Sequence, residues 1–261
     1  MKLLFSLAFL LALTQAHAQQ EIPHPSSAFE FTMLPAAVHT HGEERQLMDW
    51  PTKTLENFRV QHRVLTASEP LQLNEDREML LIVTAGALQF QTGEKAETLG
   101  ERSVAWLPRQ TEVLLSPQDT QASLYLIAWD VDPVSRETRP AGQEPRIFQY
   151  GAMDYKETAK GGRRSVMRAA TETLQELEMH ITTLKEGEKS HDPHVHADEE
   201  IILVLQGEVS EHINGTEYRL GPESLVFLSA FDPHGIRNVG TGECEYYAIR
   251  WITAKTGSGQ F

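Results

Sequence analysis

Short apolar runs separated by polar turns dominate the chain from residue 58 onwards. In the first half these runs are five to seven residues long and several end at glycine or proline. Runs of this length between turn residues are typical of β-strands in an all-β barrel or sandwich. The predicted strands are Arg59–Leu65, Met79–Thr84, Ala87–Gln91, Ser103–Leu107 and Ser123–Trp129.

The second half repeats this order of strands. Its Asn214-Gly215 pair predicts a tight hairpin, because both central residues of such a turn take positive φ. The strands predicted here are Met179–Leu184, Ile201–Leu205, Glu208–Ile213, Thr216–Leu220, Ser224–Leu228 and Glu245–Trp251.

A nearly constant spacing relates the two halves. Four pairs of landmarks are 121 residues apart and a fifth pair is 122 apart: Gly86 and Gly207, Leu99 and Leu220, Ser103 and Ser224, Leu107 and Leu228, and Trp129 and Trp251. Such self-similarity indicates two copies of one structural unit. We therefore predict two β modules in tandem.

The predicted organisation follows from these modules. The first module covers residues 58–130 and the second covers residues 171–252. Prolines break any long helix in residues 19–57 and 131–170, which we interpret as an irregular N-terminal arm and a linker. Residues 253–261, rich in glycine, are predicted to be a flexible tail.

The first eighteen residues have the pattern of an export signal. Lys2 precedes an apolar run, Leu3–Leu13, and Ala16-His17-Ala18 has the small-x-small form of a cleavage site. The apolar run is short for a membrane span. We predict cleavage near Ala18 and a soluble protein in a periplasm or outside the cell, with a retained membrane anchor as the alternative.

Composition narrows the set of partners. Cys244 is the single cysteine, so no intrachain disulfide can form and stability must come from a core, for which 40% hydrophobic residues suffice. Removal of the signal takes away one lysine and no acid, which leaves 22 basic and 37 acidic residues and a net charge of −15. This charge argues against nucleic acid or an anionic membrane as partner and leaves a small-molecule substrate.

Three histidines and a glutamate in the second module have the spacing of metal ligands. His194 and His196 are two residues apart, so they point to the same side of an extended chain. Glu200 keeps this parity, and His234 follows the predicted hairpin. Three imidazole nitrogens and a carboxylate oxygen suit a divalent transition metal. The alternative is a solvated polar loop before a strand.

The repeat supplies an internal comparison for this site. The positions 121 residues before the four predicted ligands are Leu73, Glu75, Met79 and Val113. None of them keeps the ligand found in the second module. The first module is therefore predicted to be a scaffold that folds without metal.

Several other side chains are weaker candidates. His180 and His191 are candidate catalytic residues, although a core or surface role for His180 and an exposed loop position for His191 are favoured. A second His-x-His, at His39 and His41, lacks the following apolar run and is interpreted as a surface arm or edge strand rather than a metal site. Position alone suggests Glu178 as a cavity residue.

Three further positions complete the set. Tyr247 is another candidate for the cavity on position alone. His212 and Arg237 are expected at the surface or at the rim of the barrel.

The motifs of the second module resemble those of a known superfamily. Gly187–Gly207 is similar to the first cupin motif, with a glycine, His-x-His, a glutamate four residues on and a glycine seven further. Gly221–Asn238 is similar to the second motif and contains His234, although residues 229–231 replace its usual proline and glycine. Two such modules in one chain resemble the bicupins of the cupin superfamily, among them ureidoglycine aminohydrolase-like and germin-like cupins.

This resemblance implies a fold, a cofactor and a range of activities. The expected fold is two jelly-roll β-barrels in tandem, with the metal inside the second barrel, and a homodimer is the expected assembly. Manganese or iron is the favoured ion, with nickel, copper and zinc open. We expect a metal-dependent enzyme on a small polar organic substrate, and dioxygenase, oxidase, decarboxylase, isomerase, lyase and aminohydrolase chemistry all remain open, because fold does not choose among them. A non-catalytic metal- or carbohydrate-binding module and a structural subunit are the alternatives.

Overall fold

The computed structural model describes residues 23–66, 69–132 and 143–257. Its secondary structure is almost entirely β, as the sequence predicts, with single turns of 3-10 helix at Phe31–Met33 and Tyr150–Ala152. None of the helices in these ranges has the length and apolar character needed to cross a membrane. The predicted export signal lies outside the described residues.

Two series of strands follow one another along the chain. The first series is β1 (Ser27–Phe29), β2 (Ala37–His39), β3 (Gly42–Trp50), β4 (Asn57–Thr66), β5 (Leu71–Leu73), β6 (Glu78–Ala85), β7 (Leu88–Thr92), β8 (Lys95–Leu99), β9 (Val104–Leu107), β10 (Val113–Pro117) and β11 (Gln121–Asp130). The second series is β12 (Arg146–Phe148), β13 (Tyr155–Thr158), β14 (Gly161–Ala169), β15 (Glu176–Leu184), β16 (Glu199–Gln206), β17 (Val209–Ile213), β18 (Thr216–Leu220), β19 (Leu225–Leu228), β20 (His234–Asn238) and β21 (Cys244–Ile252). The two series match in order, with an isolated pairing of His194 and His234 in place of β5.

Each series forms a barrel from one seven-stranded sheet and one smaller sheet. The first barrel combines the sheet β12-β9-β6-β11-β4-β3-β2 with the sheet β5-β10-β7-β8. The second combines β1-β19-β16-β21-β15-β14-β13 with β18-β17-β20. The fold is therefore all-β with two tandem barrels, which confirms the predicted fold class.

The two seven-stranded sheets pack back to back on a shared apolar core. On β6, Leu80 and Ile82 enter this shared core, whereas Leu81 enters the core inside the first barrel. Because both faces of the strand are buried, its sequence is a continuous apolar run rather than an alternation. Trp129 and Trp251, the landmarks at the end of each module, both lie in the shared core.

The segments interpreted as an arm and a linker contain strands, which corrects the sequence prediction. β1 pairs with β19 of the second barrel, and β12 pairs with β9 of the first, so the two halves exchange edge strands. β2, β3, β13 and β14 extend the large sheets. The prolines lie between these strands, where they exclude a helix and still permit short edge strands.

Two buried carboxylates join the halves at matching places. Glu199 at the start of β16 accepts hydrogen bonds from the Thr52 hydroxyl (2.6 Å) and the Lys53 N–H (2.9 Å) of the first half. Glu78 at the start of β6 accepts them from the Thr171 hydroxyl (3.0 Å) and the Thr173 N–H (2.7 Å) of the second half. The indole N–H of Trp106, in the same half, also donates to Glu78 at 3.1 Å. Since the other donors to both carboxylates come from the opposite half, these contacts couple the two barrels.

The Glu78→Gln substitution tests this coupling. The glutamine amide nitrogen would point its two hydrogens at the hydroxyl and N–H groups that donate to the Glu78 carboxylate, and at least one of those hydrogen bonds would be lost. We therefore expect the free energy of unfolding to fall by about 1–3 kcal/mol. Urea denaturation monitored by tryptophan fluorescence measures the change. Glu97→Gln on the exposed strand β8 is the matched control and should leave stability unaltered. Equal stability of Glu78→Gln and wild type would contradict the proposed coupling.

Candidate metal centre

Three histidine rings converge at one end of the second barrel. His194 and His234 form a two-way backbone pairing, with N–H to oxygen distances of 3.0 and 3.1 Å. His196 lies two residues further along, on the same side of the chain. One ring nitrogen from each of these three side chains lies within 4.8 Å of the other two. Strand pairing thus brings together side chains that are 40 residues apart in sequence.

Glu200, the fourth predicted ligand, lies beside this group. Its Oε2 atom is 3.2 Å from His196 Nε2 and 3.6 Å from His234 Nε2. Burial alone would raise the pKa of Glu200, but the hydrogen bond with His196 and the electrostatic influence of His196 and His234 outweigh burial and hold this pKa well below its usual range. The carboxylate is therefore ionised and offers an oxygen to a cation. The structure brings all four predicted side chains into one cluster.

Backbone carbonyl groups orient two of the rings. His196 Nδ1 lies 2.8 Å from the Asp198 carbonyl oxygen, and His234 Nδ1 lies 2.8 Å from the Asp232 carbonyl oxygen. A carbonyl only accepts, so each Nδ1 carries a proton, and Nε2 is the nitrogen that faces the cluster and would bind a metal ion once it is free of a proton of its own.

The environment of His234 Nε2 fits a bound metal ion. This nitrogen is buried and has no hydrogen-bond partner among the described residues. A buried polar atom without a partner is costly, and a cation bound to three nitrogens and the Glu200 oxygen would remove that cost. The donor set therefore fits a divalent transition metal.

The cluster opens into a cavity of about 260 Å³ inside the second barrel. His180 on β15 lies in the cavity wall, whereas a core or surface role was favoured from the sequence, because parity alone did not decide which way it faces. Burial, with the nearby charge of Arg163, lowers the pKa of His180 to about 4. Its imidazole is therefore neutral at pH 7 and can accept a proton.

His191 lies at the mouth of the cavity. It is exposed, as the sequence predicts, and its ring centroid is 4.0 Å from that of His194. It also borders an outer groove whose lining includes His212 and Arg237. These two residues therefore occupy the surface position expected for them, and His191 alone of the three reaches both groove and cavity.

Glu178 lines the cavity and is held by two arginines. Its carboxylate pairs with Arg163 at 2.7 Å and with Arg250, which also reaches Asp198 at 3.3 Å. Burial opposes ionisation of Glu178, but the two guanidinium groups overcome it and lower its pKa. The cavity thus has a charged side, with acids and arginines paired.

Tyr247 was a wrong candidate for the cavity. Its side chain is buried in the core between the barrels, and its hydroxyl donates to the Arg102 carbonyl oxygen at 2.6 Å. The neighbouring Tyr246 lines the cavity instead, because successive residues of a strand face opposite sides.

His39 and His41 form no such cluster. His39 is exposed on β2, the last strand of its sheet, as the edge-strand interpretation predicts. In the part of the chain that the structure describes, His194, His196 and His234 are the one group of three or more side chains placed to hold a metal.

The first barrel has the same framework and an apolar interior. Leu73 pairs with Val113 as His194 pairs with His234. The positions equivalent to Glu200, Glu211 and Tyr246 are Met79, Phe90 and Leu124, all in the apolar core of the first barrel. The polar interior of the second barrel is therefore no requirement of the fold.

Glu211, Arg163 and Arg250 also line the cavity, and none of them was predicted there from the sequence. Glu211 shares its parity on β17 with the buried Val209 and Ile213. An acid at an inward position of an alternating strand is a signal that could have found it. Burial and the nearby charge of Glu200 raise the pKa of Glu211 well above its usual range.

Comparisons with known proteins agree with this fold. A family model of the cupin domain matches residues 180–250. The crystal structure of protein Ylba from E. coli superposes with a TM-score of 0.69 at 14% identity, covering 90% of this chain and 95% of that one. AerE from Microcystis aeruginosa gives a TM-score of 0.62 at 11% identity, covering 87% and 97%.

An enzyme with a stated activity is also similar in structure. The Lactobacillus farciminis oxalate decarboxylase formate complex gives a TM-score of 0.66 at 9% identity and covers 88% of each chain. A search of curated proteins found no match. Likeness at these identities establishes the tandem-barrel fold, and the match to the cupin-domain model lies within the second barrel.

Proposed function

We propose that this protein is an exported bicupin that binds one divalent transition metal in its second barrel. We propose further that it is a metal-dependent enzyme acting on a small polar organic molecule, with manganese or iron as the ion. The observation that carries the proposal is the convergence of three imidazoles and Glu200 at the end of a polar cavity, where the equivalent region of the first barrel is filled by apolar side chains.

The ligands are His194, His196, Glu200 and His234. Four protein ligands leave positions open on a six-coordinate ion, and the bound metal would polarise a substrate atom there. The carbonyls of Asp198 and Asp232 keep two of the rings in the tautomer that ligation needs.

Other residues of the cavity supply proton transfer and orientation. His180 is neutral at pH 7, and its Nδ1, which has no hydrogen-bond partner among the described residues, can hydrogen-bond a bound molecule. Arg163 and Arg250 line the cavity beside Glu178, and this charged side favours a strongly polar substrate. The oxalate decarboxylases of similar fold support a small acid as the substrate class.

Metal content tests the proposal directly. The mature protein is purified from a periplasm without chelators, and its metals are measured by mass spectrometry. We expect about one manganese or iron per chain, and a rise in melting temperature when metal is restored to the chelated protein. A content well below one ion per chain, together with no response of stability to added metal, would refute the metalloprotein proposal.

Measurement of oxygen uptake then distinguishes between the classes of enzyme activity that remain open. The metal-loaded protein is assayed against a panel of hydroxy acids, oxo acids and their amides. Uptake of oxygen indicates dioxygenase or oxidase chemistry, whereas turnover without uptake indicates a decarboxylase, isomerase, lyase or aminohydrolase. Metal binding without turnover of any substrate would favour the alternative of a non-catalytic binding module.

A further inference from the structure

Glu211 has a carboxyl oxygen that makes no hydrogen bond within the described part of the chain. The residue lies in the middle of β17, faces the inside of the second barrel, and is 1% exposed. Its Oε2 atom is buried and accepts no hydrogen bond from the described residues. It lines the same cavity as the four proposed metal ligands.

The fold does not need a carboxyl group at this position. The equivalent residue of the first barrel is Phe90, which packs in an apolar core with Leu88 and Leu115. A buried polar atom without a partner destabilises a protein, whereas an apolar side chain here would stabilise it. The group that satisfies Glu211 must therefore come from what the cavity binds.

The metal cluster does not supply that partner. Within the described ranges, Glu211 makes no ion pair with His194, His196 or His234, whereas Glu200 reaches two of these rings. Glu211 thus lies on the cavity wall without an ion pair to the three rings. A molecule bound at the metal can extend towards it through a space bordered by Ile202 and Ile236.

We propose that Glu211 is a substrate-contacting residue whose carboxyl group hydrogen-bonds a polar group of the metal-bound molecule. This inference rests on the proposed metal site. It narrows the substrate to small molecules with two polar groups, one that binds the metal and a second that meets Glu211, such as hydroxy acids, diacids and acid amides. The cavity volume of about 260 Å³ lies below the range of about 300–1,000 Å³ typical of drug-sized ligands, in keeping with a molecule of this size.

Binding measurements on three variants test the inference. Glu211→Leu removes the hydrogen bond, and Glu211→Gln keeps a side chain of the same shape that can still form one. Ser210→Ala is the matched control, because Ser210 precedes Glu211 on the same strand and faces the outer groove. Each protein is loaded with manganese, its metal content is measured, and glycolate, oxalate and oxamate are titrated by calorimetry.

We expect about one manganese per chain in wild type and all three variants. At least one probe should bind the wild type, and its dissociation constant should rise about tenfold to a hundredfold in Glu211→Leu, as expected for loss of a buried hydrogen bond. Glu211→Gln should stay within about threefold of wild type, and Ser210→Ala should equal it.

Four results would overturn the inference. Unchanged probe affinity in Glu211→Leu would exclude the contact, and an equal loss in Glu211→Gln would exclude a hydrogen bond as its basis. Loss of manganese in Glu211→Leu would assign the residue to the metal site instead. Failure of all three probes to bind the manganese-loaded wild type would exclude the substrate class. A wild type that holds no metal refutes the proposed function itself, and that result is obtained before any probe is added.

Discussion

Replacing His194 by alanine is expected to release the metal while both barrels stay folded. Glu200→Ala and His234→Ala should act in the same way, with metal affinity falling by at least about a hundredfold, because loss of a direct ligand exceeds the ten- to hundredfold effect of losing a residue that only orients a ligand. The fold should persist, because the first barrel forms with Leu73, Met79 and Val113 at the equivalent positions. Mass spectrometry of bound metal and circular dichroism of the purified variants give the two readouts.

His39→Ala is the matched control for these variants. His39 belongs to a similar His-x-His pair, yet it lies exposed on an edge strand, so its loss should leave metal content unaltered. Retention of a full complement of metal in His194→Ala, or failure of that variant to fold, would contradict the expected separation of metal binding from folding.

Filling the second barrel as the first is filled should stabilise the metal-free protein. The triple variant Glu200→Met, His234→Val and Glu211→Phe places the apolar residues of the first barrel at three positions that are 8%, 3% and 1% exposed. Replacing buried ionic groups by packed apolar side chains typically gains about 1–4 kcal/mol. Urea denaturation in the presence of a chelator should therefore show a higher free energy of unfolding, and metal binding should be lost.

The reverse exchange provides the control. Met79→Glu buries a carboxylate in the apolar core of the first barrel, where no histidine accompanies it, and should destabilise the protein by about 3 kcal/mol or more. A triple variant less stable than the chelated wild type would mean that the polar residues of the second barrel stabilise its fold, contrary to the comparison of the two halves.

The expected results of these two experiments depend on a difference between equivalent barrels: the first has an apolar interior, and the second contains the polar cavity. The barrels share strand order, register and the exchange of edge strands, but their interiors differ. The polar cavity makes the second barrel less stable than an apolar core would. Functional sites commonly lower the stability of the fold that carries them. The buried carboxylates of Glu78 and Glu199 each hydrogen-bond the opposite half and so couple the two barrels.

The strands of both modules and the group of proposed ligands were predictable because their signals are local or periodic. Alternation with a period of two placed His194 and His196 on one side of the chain. The 121-residue repeat also predicted the counterparts correctly, since Leu73 pairs with Val113 as His194 pairs with His234. These patterns depend only on neighbours in sequence or on comparison of one half with the other.

The exchange of edge strands could not be predicted in this way. β1 and β12 are three residues long and pair with strands of the opposite half. Short edge strands have too few residues for a pattern, and their partners are chosen by shape and hydrogen bonding between surfaces that exist only once both barrels have formed. The hydrogen bonds from Thr52 to Glu199 and from Thr171 to Glu78 could not be predicted either, because they also join surfaces that exist only once both barrels have formed.

The orientation of the cavity residues was predictable only in part. For His180 and Tyr247 no alternation of apolar and polar residues indicates which side of the strand faces inward, because β15 and β21 have buried residues on both faces. By itself, the sequence determined an all-β tandem repeat with one ligand-bearing module, since hydrophobic period and repeat spacing are written along the chain. Only the tertiary structure decided which side chains share the cavity, that Glu211 Oε2 has no hydrogen-bond partner among the described residues, and how the halves contact each other, because those relations are set by packing across long sequence separations.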